Sequence, residues 1–217
     1  MASRNRKKLA ELRRVRDGAG VALTLLSLDD VAPFDEAPEA GATFEENALA
    51  KARDAFRASG LPSVADDSGL EVDALDGAPG VHSARFAALD KTANSSDADN
   101  NAKLLRLLKD VPAEKRTARF RCVLALTPVL EPSETSASPV CAADEFELQT
   151  ELFDGACEGR IGLAAAGQGG FGYDPLFLSE GWKQSFAELG EDVKNTMSHR
   201  AHALAKLGEH LRKRALQ

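Results

Sequence analysis

Val64-Ala65-Asp66-Asp67-Ser68-Gly69-Leu70-Glu71-Val72-Asp73-Ala74-Leu75-Asp76-Gly77-Ala78-Pro79-Gly80-Val81-His82-Ser83-Ala84-Arg85 is the stretch on which the reading of this chain turns. A short apolar run, Ser63 to Ala65, stops at two adjacent carboxylates, and a hydroxyl and a glycine follow at once. Acids placed at a strand end beside a core are costly unless a cation neutralises them. A cluster made of oxygens suits Mg²⁺, which takes carboxylates and water in preference to imidazole or thiolate. The competing reading is an Asp-Ser-Gly turn between two strands. The surrounding chain has to decide between them.

On the N-terminal side, Thr43 and Glu46 have capping-box spacing, and Phe44, Ala48, Ala52, Ala55 and Phe56 share one helical face, so a helix runs from Thr43 to the Gly60/Pro62 stop. Further upstream, Asn5 caps a helix to about Val15 with Leu9, Leu12 and Val15 on one face. Val21 to Leu28 reads as a strand, and residues 32 to 42 form an acidic loop. On the C-terminal side, a polar stretch from Lys91 to Asp99 leads into a helix over Asp99–Lys109 that turns Leu104, Leu105, Leu107 and Leu108 inward. Thr117–Thr127 alternates Ala118, Phe120, Cys122, Leu124 and Leu126 against Arg119, Arg121 and Val123, the pattern of a long strand with one covered face. The low-complexity segment 131–139 is expected as a surface loop, Phe146–Leu152 as a return strand, and Ser198 to about Arg214 as the last helix. Interleaved helices and strands make an α/β architecture, and no linker divides the 217 residues, so residues 1–217 read as a single domain.

Composition narrows the function classes. Hydrophobic residues make up 43% and charged residues 28% of the chain, the balance of a water-soluble globular protein. No apolar run approaches the ~20 residues of a membrane span, and no basic segment followed by an apolar run opens the chain as a secretory signal would. Cys122, Cys141 and Cys157 are odd in number and widely spaced, which suits thiols in a reducing compartment, the cytoplasm by default. A net charge of −7 argues against nonspecific coating of nucleic acid. Only Arg4, Arg6, Lys7, Lys8, Arg13, Arg14 and Arg16 form a local basic run, which reads as a solvated helix face or as a site for a few phosphates.

Three cationic groups accompany expected helix starts: Lys8 in the first turn after Asn5, Lys51 one turn after Asn47, and Lys194, His199 and Arg200 around the start of the last helix. Helix N-termini already attract anions, and Lys or Arg strengthens that attraction. Each of these residues alone is explained by a salt bridge. Together with a carboxylate pair they describe a nucleotide or polyphosphate site, with acids for a metal and cations for phosphates. Gly167-Gln168-Gly169-Gly170-Phe171-Gly172-Tyr173-Asp174-Pro175 is not a dinucleotide fingerprint, because Pro175 and a second apolar run follow where a helix would have to open. It suits a backbone that lets Phe171 and Tyr173 lie against a flat ligand such as a base. His82, His199, His202 and His210 form no zinc set, and no Gly-x-Ser-x-Gly elbow supports a serine nucleophile.

The blocks Ser3-Arg4-Asn5-Arg6-Lys7-Lys8, Thr43-Phe44-Glu45-Glu46-Asn47-Ala48, Ala65-Asp66-Asp67-Ser68-Gly69-Leu70, Gly77-Ala78-Pro79-Gly80, Ser83-Ala84-Arg85, Phe171-Gly172-Tyr173-Asp174-Pro175 and Ser198-His199-Arg200 occur in that order over nearly the whole chain. In this the chain resembles the inosine triphosphate pyrophosphatase family, enzymes that remove non-standard purine nucleoside triphosphates. The resemblance implies an α/β fold with a long mixed sheet flanked by helices, two lobes and a central cleft. It also implies a homodimer, a Mg²⁺ requirement, and hydrolysis of ITP, dITP and XTP to the monophosphate and pyrophosphate, with no nucleic-acid or membrane partner. Carried over by residue, Asp67 matches the catalytic carboxylate and a metal ligand, with Glu39 as the other metal-binding carboxylate and Asp66 beside them. Ser3, Arg4, Asn5, Arg6, Lys7 and Lys8 match the phosphate-binding segment, and Lys51 is expected to offset phosphate charge. Ser68 matches a substrate contact, and Phe171, Gly172, Tyr173, Asp174, Lys194, His199 and Arg200 match nucleoside-binding positions. The chain departs from the family pattern in three places. Only Met1 and Ala2 stand before Ser3 where a complete apolar strand is usual, the acidic loop offers Glu36 as well as Glu39, and 131–139 reads as an insertion. Three other readings compete: a related pyrophosphatase for modified pyrimidine nucleotides, a nucleotide-sensing protein without turnover, and, more weakly, a basic N-terminal arm that binds nucleic acid.

Overall fold

The computed structural model describes residues 1–2, 8–13, 24–34, 39–88, 94–127 and 149–215, with side chains through Lys213. Within them run α1 (Phe44–Ser59), β1 (Ser63–Val72), α2 (Asp97–Leu107), β2 (Thr117–Thr127), β3 (Glu151–Ile161), β4 (Phe177–Ser179), α3 (Phe186–Met197) and α4 (His199–Ala215), and residues 8–13 are helical. The strands form one sheet in the order β1-β2-β3-β4. It was expected to be mixed, but all three described pairings are antiparallel.

Period-two alternation along β2 sorts the core. Val123 and Ala125 point to one face, where Phe44, Ala48 and Ala52 of α1 pack on them and on Ala65. Cys122, Leu124 and Leu126 point to the other face, against Ala203, Leu204 and Leu207 of α4. Further along that second face, Leu70, Val72, Ala118 and Phe120 join Leu104 of α2, its C-cap Leu108, Phe177 of β4 and Phe186 of α3. The boundary between these two clusters falls where Ser68 pairs with Cys122. From Cys122 onward β2 is buried on both sides, so the expected single covered face holds only for its first half.

Local signals set the helix ends. The Thr43 hydroxyl accepts from the Glu46 N–H at 3.2 Å, while the Glu46 carboxylate turns back to the Ala42 N–H at 2.6 Å, a capping box displaced by one residue. Gly60, at φ +67°, closes α1 by donating to the Phe56 carbonyl. The helix foreseen from Asp99 begins earlier, because Ser96 caps it through the Asp99 N–H. Leu104 and Leu108 face the core as foreseen, whereas Leu107 lies off that stripe and is exposed. Neither α3 nor β4 was foreseen. Ser185 and Glu188 form a full capping box at the start of α3, a signal present in the sequence. Gly190 breaks this helix at φ +81°.

Two expected strands differ from those found. Residues 24–27 of the Val21–Leu28 run carry no strand assignment, residues 21–23 lie outside the described residues, and Leu28 opens a 3-10 turn to Asp30. The carbonyl of Leu26 receives the Met1 amino group at 2.7 Å, and Ala2 donates to Val64 at 2.7 Å, so residues 1–2 run alongside β1. The return strand is Glu151–Ile161 and overlaps Phe146–Leu152 only at its first two residues. Cys141 and the 131–139 segment lie outside the described residues. Cys122 and Cys157 are buried free thiols.

One close approach fixes the last helix. A Cβ on Gly155 of β3 would stand 2.1 Å from the His199 carbonyl oxygen and 2.6 Å from the Ala203 nitrogen, both backbone atoms of α4. Gly155→Ala therefore forces α4 away from the sheet. The expected result is a loss of about 1–3 kcal/mol in urea unfolding, and a parent-like midpoint would show that the helix does not rest on the strand.

Candidate active site

Asp66 and Asp67 are consecutive in an extended strand, so their side chains leave opposite faces of the sheet. The sequence reading placed both on one ion; the pleat separates them. Each acid has its own surroundings.

Asp67 points towards α1. Asn47 and Lys51 lie one turn apart on that helix, and both reach this carboxylate: Lys51 Nζ donates to Oδ1 at 2.7 Å and Asn47 Nδ2 to Oδ2 at 3.2 Å. Lys51 also donates to the Glu39 carboxylate in a very short contact, so one ammonium joins two acids from different parts of the chain. The other Glu39 oxygen receives Arg85 at 2.9 Å. Burial holds the Asp67 carboxyl above the usual carboxylate range, against the pull of Lys51 and with the Glu39 charge adding to it. Burial also pushes Glu39 up, but Lys51 and Arg85 outweigh it and its carboxyl sits below the usual range. Lys51 is held above its ordinary value because the two acids overcome its burial.

Asp66 points towards α4 and is wholly buried. Arg200 Nε donates to it at 2.7 Å, Lys8 makes a very short contact with it, and the Ser68 hydroxyl, two residues on and hence on the same face, donates at 3.0 Å. Against its burial, Arg200 and Lys8 keep this carboxyl well below the usual range. Arg200 is spent within the protein: its other nitrogens donate to Ser68 at 2.9 Å and Glu11 at 2.9 Å, and it is 2% exposed. Matched by resemblance to a nucleoside-binding position, it ties the helical residues 8–13, β1 and α4 together.

At the other end, Lys194 Nζ donates to Asp174 Oδ2 at 2.6 Å and lies over the Phe171 ring, 4.5 Å from its centroid. Asp174 Oδ2 also accepts the Phe171 N–H at 2.9 Å. Gly170, at φ +73°, is required there, since a Cβ would stand 2.1 Å from that oxygen. Tyr173, expected beside a base, is buried in the core with its hydroxyl donating to the Ser83 carbonyl at 2.9 Å. Of the two loop aromatics, Phe171 is the one beside the charged pair. The His199 ring stacks on Phe120 at 4.8 Å, and its Nδ1 is buried without a hydrogen-bond partner. Burial, then Arg200 and Lys194, hold the His199 imidazole well below its ordinary value, so it is neutral.

Ser3, Arg4, Asn5, Arg6, Lys7 and the alternative Glu36 lie outside the described residues. Three groups went unassigned in the sequence reading. Asn47 holds Asp67 and also accepts the Gly41 N–H at 2.9 Å, and its spacing four residues before Lys51 was the available signal. Arg85 belongs to a quoted block but had no role. Asp97 and Asn101 of α2 grip Gly172 from both sides, Asp97 Oδ2 accepting its N–H at 2.7 Å and Asn101 Nδ2 donating to its carbonyl at 2.9 Å. No local pattern announces that contact, which spans more than 70 residues of chain.

Among the described residues no three His, Cys, Asp or Glu side chains form a ready metal cluster. Glu39 and Asp67 nevertheless fit a hard divalent ion. Both are carboxylates, they already share one cationic group, and Mg²⁺ needs only one or two protein carboxylates when water and phosphate complete its octahedron. Lys8 beside Asp66, Lys51 beside Asp67 and Lys194 beside Asp174 supply positive charge along the same region. Among the described residues no helix is long and apolar enough to cross a membrane.

Comparison with known proteins identifies the family and the fold. The family model described as Ham1 family matches residues 1–210. The chain is 53% identical over 209 residues to a dITP/XTP pyrophosphatase of Mycolicibacterium paratuberculosis, covering 95% of this chain and 92% of that protein. The crystal structure of a nucleoside-triphosphatase (dITP/XTP pyrophosphatase) from Mycobacterium abscessus aligns with a TM-score of 0.72 at 44% identity, over 94% of each chain. A HAM1 protein from Coxiella burnetii aligns with a TM-score of 0.79 at 35% identity, over 97% of this chain and 96% of that one. With nearly its whole length matched in sequence and in fold, this chain belongs to the Ham1 family.

Proposed function

We propose that this chain hydrolyses dITP, ITP and XTP to the nucleoside monophosphate and pyrophosphate, with Mg²⁺ held by Glu39 and Asp67, and that it works as a cytoplasmic homodimer. The observation that carries the reading is the Lys51 ammonium shared by Glu39 and Asp67, two acids 28 positions apart that fold onto one cation. The names of the relatives supply the substrate class.

The reaction needs a water whose oxygen attacks the α-phosphorus while the bond from that phosphorus to the bridging oxygen breaks. Mg²⁺, when bound, supplies Lewis-acid stabilisation of phosphate charge and lowers the pKa of a water. Asp67 takes the proton of the attacking water. Asn47 fixes the orientation of that carboxylate. Lys51 and Lys8 offset charge on the departing pyrophosphate, helped by Ser3 to Lys7. Phe171, with Lys194 and Asp174, receives the base. A site that reads a 6-keto group and a protonated N1 by hydrogen bonds leaves buried groups unpaired when adenine enters, a discrimination of up to ~10⁴-fold.

Asp66 enters this reading as a positioning group and no longer as a metal ligand. Its oxygens are taken by Arg200, Lys8 and Ser68, so it holds Lys8 and the start of α4 in place.

Three tests follow from these roles. With ITP and Mg²⁺, product analysis should find pyrophosphate and no orthophosphate. Asp67→Asn should lower kcat by at least ~10²-fold; full Mg²⁺-dependent pyrophosphate release by that variant would remove Asp67 from the chemistry. Asp66→Asn should cost about 3–5 kcal/mol at neutral pH, because it removes the wholly buried one of the two carboxylates paired with Arg200 and leaves only Glu11. The folded pKa of Asp66 is depressed, so its contribution is complete above the unfolded value of about 4 and is lost as pH falls through the folded value. Urea unfolding across acidic pH should therefore show a steeper decline for the parent than for Asp66→Asn, and parallel curves would refute the assignment.

A further inference from the structure

Ser83-Ala84-Arg85 ends the 3-10 turn Gly80–Arg85, and the reaction as derived gives it nothing to do. Its geometry is specific. The Arg85 guanidinium donates through one terminal nitrogen to Glu39 Oε2 at 2.9 Å and through the other to the main-chain carbonyl of Glu39 at 2.9 Å. One planar fork therefore holds both the side chain and the backbone of a residue 46 positions away. The Arg85 side chain is 11% exposed, whereas that of Glu39 is 36% exposed and, without the fork, would be held only by the Lys51 ammonium at its other oxygen.

The turn that carries Arg85 is itself braced from three directions. The Ser83 hydroxyl accepts the Leu70 N–H at 2.9 Å and donates to the Gly80 carbonyl at 2.6 Å, tying the turn to β1. The Tyr173 hydroxyl donates to the Ser83 carbonyl at 2.9 Å, and Asn100 Nδ2 of α2 donates to the Ala84 carbonyl at 3.3 Å. Gly69 lets the turn lie directly on the strand, since a Cβ there would stand 2.5 Å from both the Gly80 carbonyl oxygen and the Ser83 hydroxyl. The guanidinium therefore extends from a fixed platform. By contrast, the chain just after Glu39 is attached through the Gly41 and Ala42 N–H groups to side chains of α1.

We propose that Arg85 is the positioning residue for the metal-binding carboxylate: it holds Glu39 at the distance from Asp67 at which the two acids can grip one divalent ion, and it does not touch the substrate. This rests on the reading of Glu39 and Asp67 as the ion-holding pair. Charge and positioning predict opposite signs for its removal. A guanidinium beside a metal-binding acid repels the incoming ion, so charge alone would make a variant without it bind metal more tightly. A fork that fixes the acid makes the variant bind more weakly, on the scale of 10–100-fold found for groups that orient metal ligands.

Mn²⁺ provides the readout without turnover, titrated against the folded protein and followed by the electron paramagnetic resonance signal of the free ion. Arg85→Gln should weaken Mn²⁺ binding about 10–100-fold and raise the Mg²⁺ concentration needed for half-maximal rate. Arg85→Lys, which keeps the charge but loses the fork, should fall between parent and Arg85→Gln. In a Glu39→Gln background, Arg85→Gln should add no further loss, because its effect passes through Glu39. Equal or tighter Mn²⁺ binding by Arg85→Gln overturns the proposal, as does a full additional loss in the double variant. If Arg85→Gln does not fold, Arg85→Lys carries the test, and parent-like Mn²⁺ binding by it overturns the proposal. Parent-like binding by both Glu39→Gln and Asp67→Asn removes the ion-holding pair itself and this proposal with it. Weakened binding in those two with parent-like binding in Arg85→Gln removes the proposal alone.

Discussion

A carboxylate beside a sheet core is stable only if a cation comes to it, and β1 presents two in succession on opposite faces. That requirement organises the molecule. On one face α1 has to bring Lys51 to Asp67; on the other, α4 and the helical residues 8–13 have to bring Arg200 and Lys8 to Asp66. The helices that cover the sheet are thus the helices that neutralise it. Apolar packing and ion pairing fix the same placement: Ala48 and Ala52 lie on Val123 and Ala125 from the helix that also carries Asn47 and Lys51.

The two acids acquire different chemistry from the same strand. Asp66 is wholly enclosed and held ionised by two cations, which suits a fixed element of structure. Asp67 has one cation, one amide and a second acid nearby, and burial leaves its carboxyl elevated. A group poised in that way can exchange a proton where its neighbour cannot. Environment alone shifts the two carboxyls in opposite directions.

Glycine decides how closely these parts approach. Gly69 admits the turn that carries Arg85, Gly155 admits the backbone of α4 at His199, and Gly170 admits the Asp174 carboxylate. Each puts a charged or polar residue next to main chain where a methyl group would hold it off. Side-chain hydrogen bonds then join the Phe171–Asp174 loop to Glu39, because Tyr173 and α2 hold the turn from which Arg85 reaches Glu39.

Much of this was legible along the chain. Capping at Thr43, alternation in Thr117–Thr127 and the Asn47–Lys51 spacing are local patterns, set by helix and strand periodicity, and they gave α1, β2 and the face of α1 that carries chemistry. The capping box at Ser185 was equally local and would have given α3. The acids, the cations and Phe171 could be named because their residue types suit phosphate, metal and base chemistry, and because the blocks carrying them resemble a family. What sequence could not supply was partnership. Arg200 and Asp66 are 134 positions apart, Arg85 and Glu39 46, and Asp97 and Gly172 75. Pairings at such separations depend on which faces the sheet and helices bury together, and no local period encodes that. Only the tertiary structure could show that Arg200 pairs with Asp66 and Glu11, that Tyr173 belongs to the core, and that two neighbouring aspartates face opposite sides of the sheet.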